Sequence, residues 1–147
     1  MDIYQRLIED HGKQRGLAGG LARTEGDSDE RRRLFDAYAT ELEAHADAEE
    51  QTLYAELLSE PDIQEQARHS IAEHQTADNL LNKLRQTDMS SSAWLQTFKE
   101  LRHAVEHHLE EEEEKVFPQA RELISETRAQ ALGRDFAERK KREARAA

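Results

Sequence analysis

The sequence contains no cysteine, and it has only two prolines and six glycines in 147 residues. The lack of cysteine excludes disulfides, thiolate metal sites, iron–sulfur clusters and thiol redox chemistry. No apolar run approaches the roughly 18 residues of a membrane-spanning helix, and the N-terminus lacks a hydrophobic signal segment. We therefore expect a cytoplasmic protein that does not enter a membrane.

Aromatic residues are also scarce, at 5%, whereas charged and hydrophobic residues each make up 36% of the chain. Few helix breakers together with abundant Ala, Leu, Glu, Arg and Gln favour long helices with solvated outer faces. The length is that of one ordinary domain with a sizeable core. A net charge of −11 argues against binding to nucleic acid or to a membrane surface.

Apolar residues recur at helical spacing in four segments separated by short breaks. The first predicted helix ends near Thr24, and the second runs from about Asp29 to Leu58. The third runs from after Pro61 to Thr87, and the fourth runs from Ser90–Ser92 past Val116. Asp27 or Ser28 can cap the second helix. Because short connections make neighbouring helices antiparallel, the sequence predicts an all-α fold. The expected architecture is an up-down-up-down antiparallel four-helix bundle with a short C-terminal helical extension.

The chain divides by charge into a bundle, residues 1–126, and a basic C-terminal helical tail, residues 127–147. Residues 128–147 contain seven basic and three acidic side chains. We expect a solvated helical tail, although Leu132 and Phe136 could dock a short helix on the bundle. A protein partner that contacts the basic tail is the alternative, and no other feature of the sequence supports it.

An internal repeat is the strongest pattern in the sequence. A shift of 63 residues places His11 on His74, His45 on His108 and Glu49 on Glu112. The same shift aligns Asp10 with Glu73, Glu50 with Glu113, and Leu53-Tyr54 with Val116-Phe117. The repeat therefore selects four histidines and two glutamates as one set.

The selected residues have the spacing of metal ligands. In each half of the repeat a histidine precedes a glutamate by four residues, as in His45 and Glu49, so both side chains point toward one place on a helix. Residue counts from each histidine to the turns place all four histidines at nearly one height in the bundle. We predict a metal site, with no catalytic residue beyond it and no organic cofactor. Its predicted ligands are His11, His45, Glu49, His74, His108 and Glu112.

The same His-x-x-x-Glu spacing occurs twice more, at His69/Glu73 and at His107/Glu111. Spacing alone is therefore not specific, and the repeat is what selects His108 over its neighbour His107. We expect His69, His103 and His107 to lie at the surface. His103 and His107 are four residues apart and could bind zinc adventitiously.

Several residues border the predicted ligands. Glu50 and Glu113 could serve as outer-shell or entrance groups, and Asp78 could ligate the metal or bond a histidine ligand. Tyr54 aligns with Phe117, so packing is its default role. The Tyr54 phenol could reach the metal only if the second helix departs from α geometry.

Four imidazoles and two carboxylates exceed the ligand set of one tetrahedral zinc. Two carboxylates on opposite helices can bridge two ions, with a solvent-derived oxo or hydroxo group as a further bridge. We expect two iron ions, with manganese or zinc as substitutes.

The ordered motifs resemble the hemerythrin-like family, also called the HHE cation-binding domain, over residues 1 to about 120. The resemblance is carried by Asp10-His11, His45-x-x-x-Glu49-Glu50 with Leu53-Tyr54, Glu73-His74, and His108-x-x-x-Glu112-Glu113 with Val116-Phe117-Pro118. It implies a four-helix bundle around a non-haem di-iron centre, with four terminal histidines and with Glu49 and Glu112 as bridges. Oxygen-carrying members have a fifth histidine where this chain has Asp78, so a more symmetric site with an opening at each iron is implied.

Three functions remain open from the sequence. The first is binding of O2, NO or peroxide at the di-iron centre for sensing, buffering or detoxification. The second is a catalase-like enzyme that decomposes peroxide. The third is a structural or interaction bundle whose metal only staples the helices together.

Overall fold

The computed structural model describes residues 1–146, with Ala146 described by its backbone alone. Within these residues the chain forms five long α-helices and no β-strand. The helices are α1 (Ile3–Ala22), α2 (Asp29–Glu49), α3 (Gln64–Arg85), α4 (Ser92–Glu111) and α5 (Glu126–Ala146). None of the helices formed by these residues is long and apolar enough to cross a membrane.

Both α2 and α4 run into a π-helical turn and then resume as α-helix. The π turns are Glu50–Tyr54 and Glu112–Val116, and the short helical segments after them are Ala55–Leu57 and Phe117–Leu123. The two interruptions occupy equivalent positions, to within one residue, in the two halves of the sequence repeat.

Side-chain caps fix the N-termini of three helices. Asp2 accepts a hydrogen bond from the backbone of Gln5, whose side chain bonds back to Asp2, in a capping box at α1. Ser28 caps α2 through its side-chain oxygen, as the sequence predicts, and Ser91 caps α4 in the same way. Gly26, in the turn before α2, has a φ of +60°, a conformation that favours glycine.

The first four helices form the predicted bundle. The pairs α1/α2 and α3/α4 make the larger contacts, and α1 also contacts α4 while α2 contacts α3. The connections between them are short, as expected for antiparallel neighbours. The predicted all-α fold class is confirmed.

The interior consists of two apolar clusters separated by a polar layer. One cluster lies at the end of the bundle that contains both π turns and includes Tyr4, Leu53, Phe117 and Phe136. The other lies toward the opposite end and is built around Tyr38, Leu81, Trp94, Phe98 and Leu101. The predicted ligands lie between the two clusters, so apolar packing on both sides holds the helices that carry them.

The C-terminal helix is docked on the bundle. Helix α5 packs against α1 and α2, where Leu132 and Phe136 are 98% buried. Arg128 pairs with Glu56 at 2.8 Å. The expectation of a solvated tail is therefore wrong, because the apolar stripe of this segment is buried and its cations meet acidic groups of the bundle. Residue 147 of the expected tail lies outside the described residues.

Gly133 is where α5 approaches the chain start most closely. A Cβ at this position would lie 2.9 Å from the Met1 carbonyl oxygen and 3.0 Å from the Ile3 nitrogen, both backbone atoms. Real side chains essentially never make contacts this close to backbone. Only glycine allows the two helices to pack at this distance.

We predict that Gly133→Ala lowers the free energy of unfolding by about 1–3 kcal/mol, because the added methyl overpacks the junction. Gly16→Ala is the matched control, since Gly16 lies in α1 with nothing within 4 Å of its Cβ position. That change should raise stability by up to about 1 kcal/mol through helix propensity. Urea unfolding of both variants measures the difference, and equal effects would contradict the close approach.

Candidate metal centre

Six side chains from four helices meet in the polar layer. His11 comes from α1, His45 and Glu49 from α2, His74 from α3, His108 from α4 and Glu112 from the π turn that follows it. Glu49 and Glu112 are 0% exposed, and the four histidines are at most 9% exposed. The structure thus brings together all six residues selected by the sequence repeat. Their role as ligands stays a prediction.

The six residues fall into two overlapping groups that could each hold an ion. The ligand atoms of His11, His45, Glu49 and Glu112 lie within 4.8 Å of one another, and so do those of Glu49, His74, His108 and Glu112. Glu49 and Glu112 belong to both groups. This sharing is the geometry that two bridging carboxylates require.

Each of the four histidines is held by a carboxylate at its Nδ1 atom. The four pairs are His11 with Glu113 at 2.7 Å, His45 with Asp10 at 2.8 Å, His74 with Glu50 at 2.8 Å and His108 with Glu73 at 2.8 Å. An ionised carboxylate can only accept, so the ring hydrogen lies on Nδ1 and each Nε2 faces the centre. Metal-bound histidines are oriented in this way in known proteins.

The inward-facing atoms supply a test of whether a cation fits. Nε2 of His11, Nε2 of His45, both carboxylate oxygens of Glu49 and Oε1 of Glu112 are buried and make no hydrogen bond. Yet His11 Nε2 lies only 3.1 Å from Glu112 Oε1. Such groups are costly when buried without a partner. A cation at their common focus satisfies all of them, so the donor set fits a metal ion.

The second group gives the same result. Nε2 of His74 and Nε2 of His108 lie 3.1 Å apart. In the tautomers set by their Nδ1 partners, both atoms present lone pairs, which repel at this distance unless a proton or a cation lies between them. His74 Nε2 is also 3.0 Å from Glu49 Oε1.

Neighbouring carboxylates raise the pKa values of His45, His74 and His108 in the metal-free protein. Burial favours the neutral form of His45, but the charges of Glu49 and Asp10 outweigh it and raise the His45 pKa to about 10. The pKa of His108 is likewise raised well above its usual range, against the effect of burial. Burial acts to raise the pKa of Glu112, yet the neighbouring histidines hold it well below its usual range.

The π turn after α2 brings Tyr54 into the site. A π turn adds one residue per turn, so Tyr54, five residues after Glu49, faces the core. Its hydroxyl is fully buried and donates a hydrogen bond to Glu112 Oε2. Phe117 occupies the related place in the other half of the site, where its ring stacks on His11 with centroids 5.9 Å apart. Helix α2 therefore gives way to a π turn at Glu50–Tyr54, which is the departure from α geometry that the sequence analysis required for Tyr54 to reach the site.

Different local chemistry accounts for the two π turns. In the first, the Thr52 hydroxyl donates to the carbonyl of Ala48 at 2.7 Å and so competes with the backbone for it. The Ala55 N–H bonds to the carbonyl of Glu50, five residues back. In the second, Pro118 has no N–H to continue the α-helical pattern.

Cations reinforce the outer carboxylates of one group only. Arg15 Nη1 lies 3.0 Å from Glu113 Oε2, and Lys140 Nζ of α5 lies 2.8 Å from Asp10 Oδ2. These carboxylates hold His11 and His45. The carboxylates of the other group, which are Glu50 and Glu73, contact no lysine or arginine among the described residues.

The remaining sequence expectations have separate outcomes. Glu50 and Glu113 lie in the expected outer positions, as partners of histidines. Asp78 borders the cavity beside the site but makes no hydrogen bond to a histidine in the described structure. The outer carboxylates Asp10 and Glu73 received no role from the sequence, although their alignment in the repeat was a signal. Exposed positions are found for His69, His103 and His107.

A small cavity reaches the histidines of the centre. It has a volume of about 30 Å³. Its polar edge is formed by Gln14, Glu73 and Asp78 together with three ligand candidates, His45, His74 and His108, and its apolar wall includes Leu42, Ala77, Val105 and Leu109. The cavity therefore lies beside three of the predicted ligands, between α2, α3 and α4.

The fold and this donor set define a helical-bundle protein with a buried cation site. Comparison with known proteins identifies its class: the profile of the hemerythrin HHE cation binding domain matches residues 2–120. The chain belongs to this family, which confirms the resemblance seen in the sequence. A search of curated protein sequences finds no match.

A solved structure extends the likeness to almost the whole chain. It is the crystal structure of a hemerythrin HHE cation binding domain-containing protein from Mycobacterium kansasii. The two chains are 25% identical with a TM-score of 0.88, and the match covers 99% of this chain and 89% of the other. The shared part therefore includes α5, beyond the residues that the family profile matches.

We predict that metal binding to the metal-free protein at neutral pH releases at least the protons of His45 and His108, because a nitrogen ligand must be neutral and both pKa values are raised. Metal affinity should therefore fall as the pH is lowered. Calorimetric titration in two buffers of different ionisation enthalpy measures the release. Proton-neutral binding would contradict a site that uses these imidazoles.

Proposed function

We propose that this protein is a non-haem di-iron protein that binds O2, NO or peroxide at a bridged centre. The observation that carries the proposal is the pair of overlapping buried groups that share Glu49 and Glu112. A single ion would leave half of the imidazole Nε2 atoms without a partner. Two ions joined by the shared carboxylates use the whole donor set.

The donor set favours iron among the available cations. Four imidazoles with carboxylates suit iron, copper or zinc, whereas magnesium and calcium prefer oxygen ligands alone. A structural zinc site closes with four ligands, and here two additional donors remain. When bound, a pair of iron ions supplies one-electron redox chemistry and open positions for a small ligand.

The cavity supports the choice of a small ligand. Its volume of about 30 Å³ is room for one or two water-sized groups, which a diatomic molecule or peroxide matches. Leu42, Val105 and Leu109 make part of the wall apolar, and the small volume excludes a larger substrate. Apolar walls also keep bulk water from a reactive centre.

Reconstitution tests the proposal. Metal-free protein without an affinity tag is loaded with ferrous iron in the absence of air, and the bound metal is measured. We expect about two irons per chain, one for each ligand group, and an absorption spectrum that NO or peroxide perturbs. His74→Ala should lower the iron content, whereas His103→Ala, a change at an exposed position of α4, should not. A single bound ion and a spectrum that no ligand changes would leave only a metal-stapled bundle.

We predict that Ala77→Leu slows or abolishes ligand binding while leaving the iron content unchanged, because the longer side chain fills the cavity beside the histidines. Ala72→Leu is the matched control, since it makes the same change on the exposed side of the same helix. Stopped-flow measurement of NO binding to both variants compares the rates. Equal rates would show that the ligand enters by another route.

Peroxide decomposition is the second candidate, and Tyr54 favours it. Burial and the charges of Glu112 and Glu49 raise the pKa of the Tyr54 phenol well above its usual range, so it keeps its proton beside the site. A protonated phenol can donate a hydrogen bond or a proton to an oxygen ligand, and tyrosine can also give up an electron. The related Phe117 in the other half can do neither.

We predict that Tyr54→Phe alters the peroxide-induced spectrum and lowers any peroxide turnover, by about tenfold or more if the phenol supplies a proton. The phenylalanine keeps the packing, as Phe117 shows on the other side. Release of O2 from added peroxide, followed with an oxygen electrode, separates an enzyme from a binding protein. Unchanged spectra and rates would assign Tyr54 a packing role alone.

A further inference from the structure

Two motifs of the sequence have no part in the central site. His69 and Glu73 lie four residues apart on α3, and His107 and Glu111 have the same spacing on α4. The structure brings the two pairs together on the surface of the α3/α4 packing. They form a second cluster of two imidazoles and two carboxylates.

The four side chains face one another at short distances. His69 Nε2 lies 3.5 Å from Glu73 Oε2 and 3.7 Å from Glu111 Oε2. His107 Nε2 lies 3.4 Å from Glu111 Oε2 and 4.0 Å from Glu73 Oε2. Ligand atoms about 2.0–2.2 Å from a tetrahedral ion are about 3.3–3.6 Å apart. The ligand atoms of His69, Glu73 and Glu111 already lie within 4.8 Å of one another, so small side-chain rotations, chiefly of His107, close the set. Both imidazoles are more than half exposed and are free to make them.

The carboxylates are positioned by the protein before any ion arrives. Glu73 Oε1 accepts from Nδ1 of His108, and Glu111 Oε1 accepts from Nε2 of Gln66 at 3.0 Å. In each case the second oxygen, Oε2, is the one that faces the two imidazoles. The side chain of Glu111 is only 14% exposed, and its Oε2 atom is buried and makes no hydrogen bond. A buried, unpaired carboxylate oxygen of this kind calls for a cation.

We propose that His69, Glu73, His107 and Glu111 bind a divalent transition-metal ion at the surface of the bundle. Two imidazoles and two carboxylates suit a borderline ion such as Zn²⁺ or Fe²⁺. Calcium and magnesium are disfavoured because they take oxygen ligands in larger number. The proposal does not depend on which metals the central site holds.

The position of Glu73 connects this site with the central one. One oxygen of Glu73 holds His108, and the other faces the surface cluster. An ion bound to Glu73 withdraws negative charge from the carboxylate that orients His108. This connection rests on the proposed di-iron centre, and it predicts that the surface ion changes the spectrum of that centre.

Zinc binding by the full chain tests the surface site. Protein without an affinity tag and stripped of metal is dialysed at buffered free Zn²⁺ concentrations, and bound zinc is measured. We expect the wild type to bind one zinc per chain more than the double variant His69→Ala/His107→Ala, whatever the central site takes up. The nearly isosteric Glu111→Gln removes a charged ligand and should lower the affinity for this zinc by at least about tenfold. Tenfold is the lower limit for the loss of an outer-shell partner, and a direct ligand contributes more.

His103→Ala is the control, because His103 is an exposed histidine one turn before His107 that lies outside the cluster. It should bind as much zinc as the wild type. Equal zinc in the wild type and the double variant would overturn the proposal. Loss of the zinc in His103→Ala with retention in His69→Ala would also overturn it, since the ion would then be held adventitiously by His103 and His107.

A second measurement tests the connection. Zinc added to the iron-loaded protein should shift the absorption bands of the central site in the wild type and not in the double variant. A zinc that binds without a shift refutes the role of Glu73 while leaving the surface site in place. Failure of iron to load contradicts the proposed function, and the zinc difference still decides the surface site.

Discussion

The constraint on which this structure depends is the burial of two glutamates, Glu49 and Glu112, at the centre of a helical bundle. An ionised carboxylate in such a place is costly without positive charge nearby. The chain supplies four imidazoles around them, and one outer carboxylate fixes the direction of each ring. The polar layer is tolerated because apolar clusters on both sides hold the helices, so stability and the site are parts of one arrangement. Metal binding to the folded state adds to that stability.

The sequence predicted the helices and singled out the six side chains that meet at the centre, because both follow from spacing; the role of these six residues as ligands stays a prediction. Helical periodicity gives the buried stripe of each helix, and the repeat chooses His108 over His107 where spacing alone does not. The π turns were not predictable in the same way. In the first, the Thr52 hydroxyl donates a hydrogen bond to a backbone carbonyl that a backbone N–H would otherwise use. Many threonines in helices make no such change to the backbone pattern. The contact of Tyr54 with Glu112 depends on that turn, so the sequence did not decide whether Tyr54 enters the site.

The C-terminal helix was misjudged because its composition is dominated by charge. Seven basic residues among the last twenty suggest a solvated segment when they are read alone. The bundle, however, presents acidic side chains where α5 lies, and Leu132 and Phe136 provide an apolar stripe. Attraction between the two parts and burial of this stripe act together, so the helix becomes part of the fold. The close approach at Gly133 shows how tightly it packs.

The docked helix also makes the two halves of the centre unequal. Lys140 of α5 pairs with Asp10, and Arg15 pairs with Glu113, so the carboxylates that hold His11 and His45 share their charge with cations. A carboxylate paired in this way is a weaker acceptor for the imidazole N–H, and the histidine becomes a weaker electron donor to an ion. Glu50 and Glu73 contact no lysine or arginine among the described residues, and the cavity is lined by His74 and His108 together with His45. In the proposed pair of ions, the one held by His74 and His108 would be the more electron-rich, although the sequence repeat supplies both positions with the same ligands.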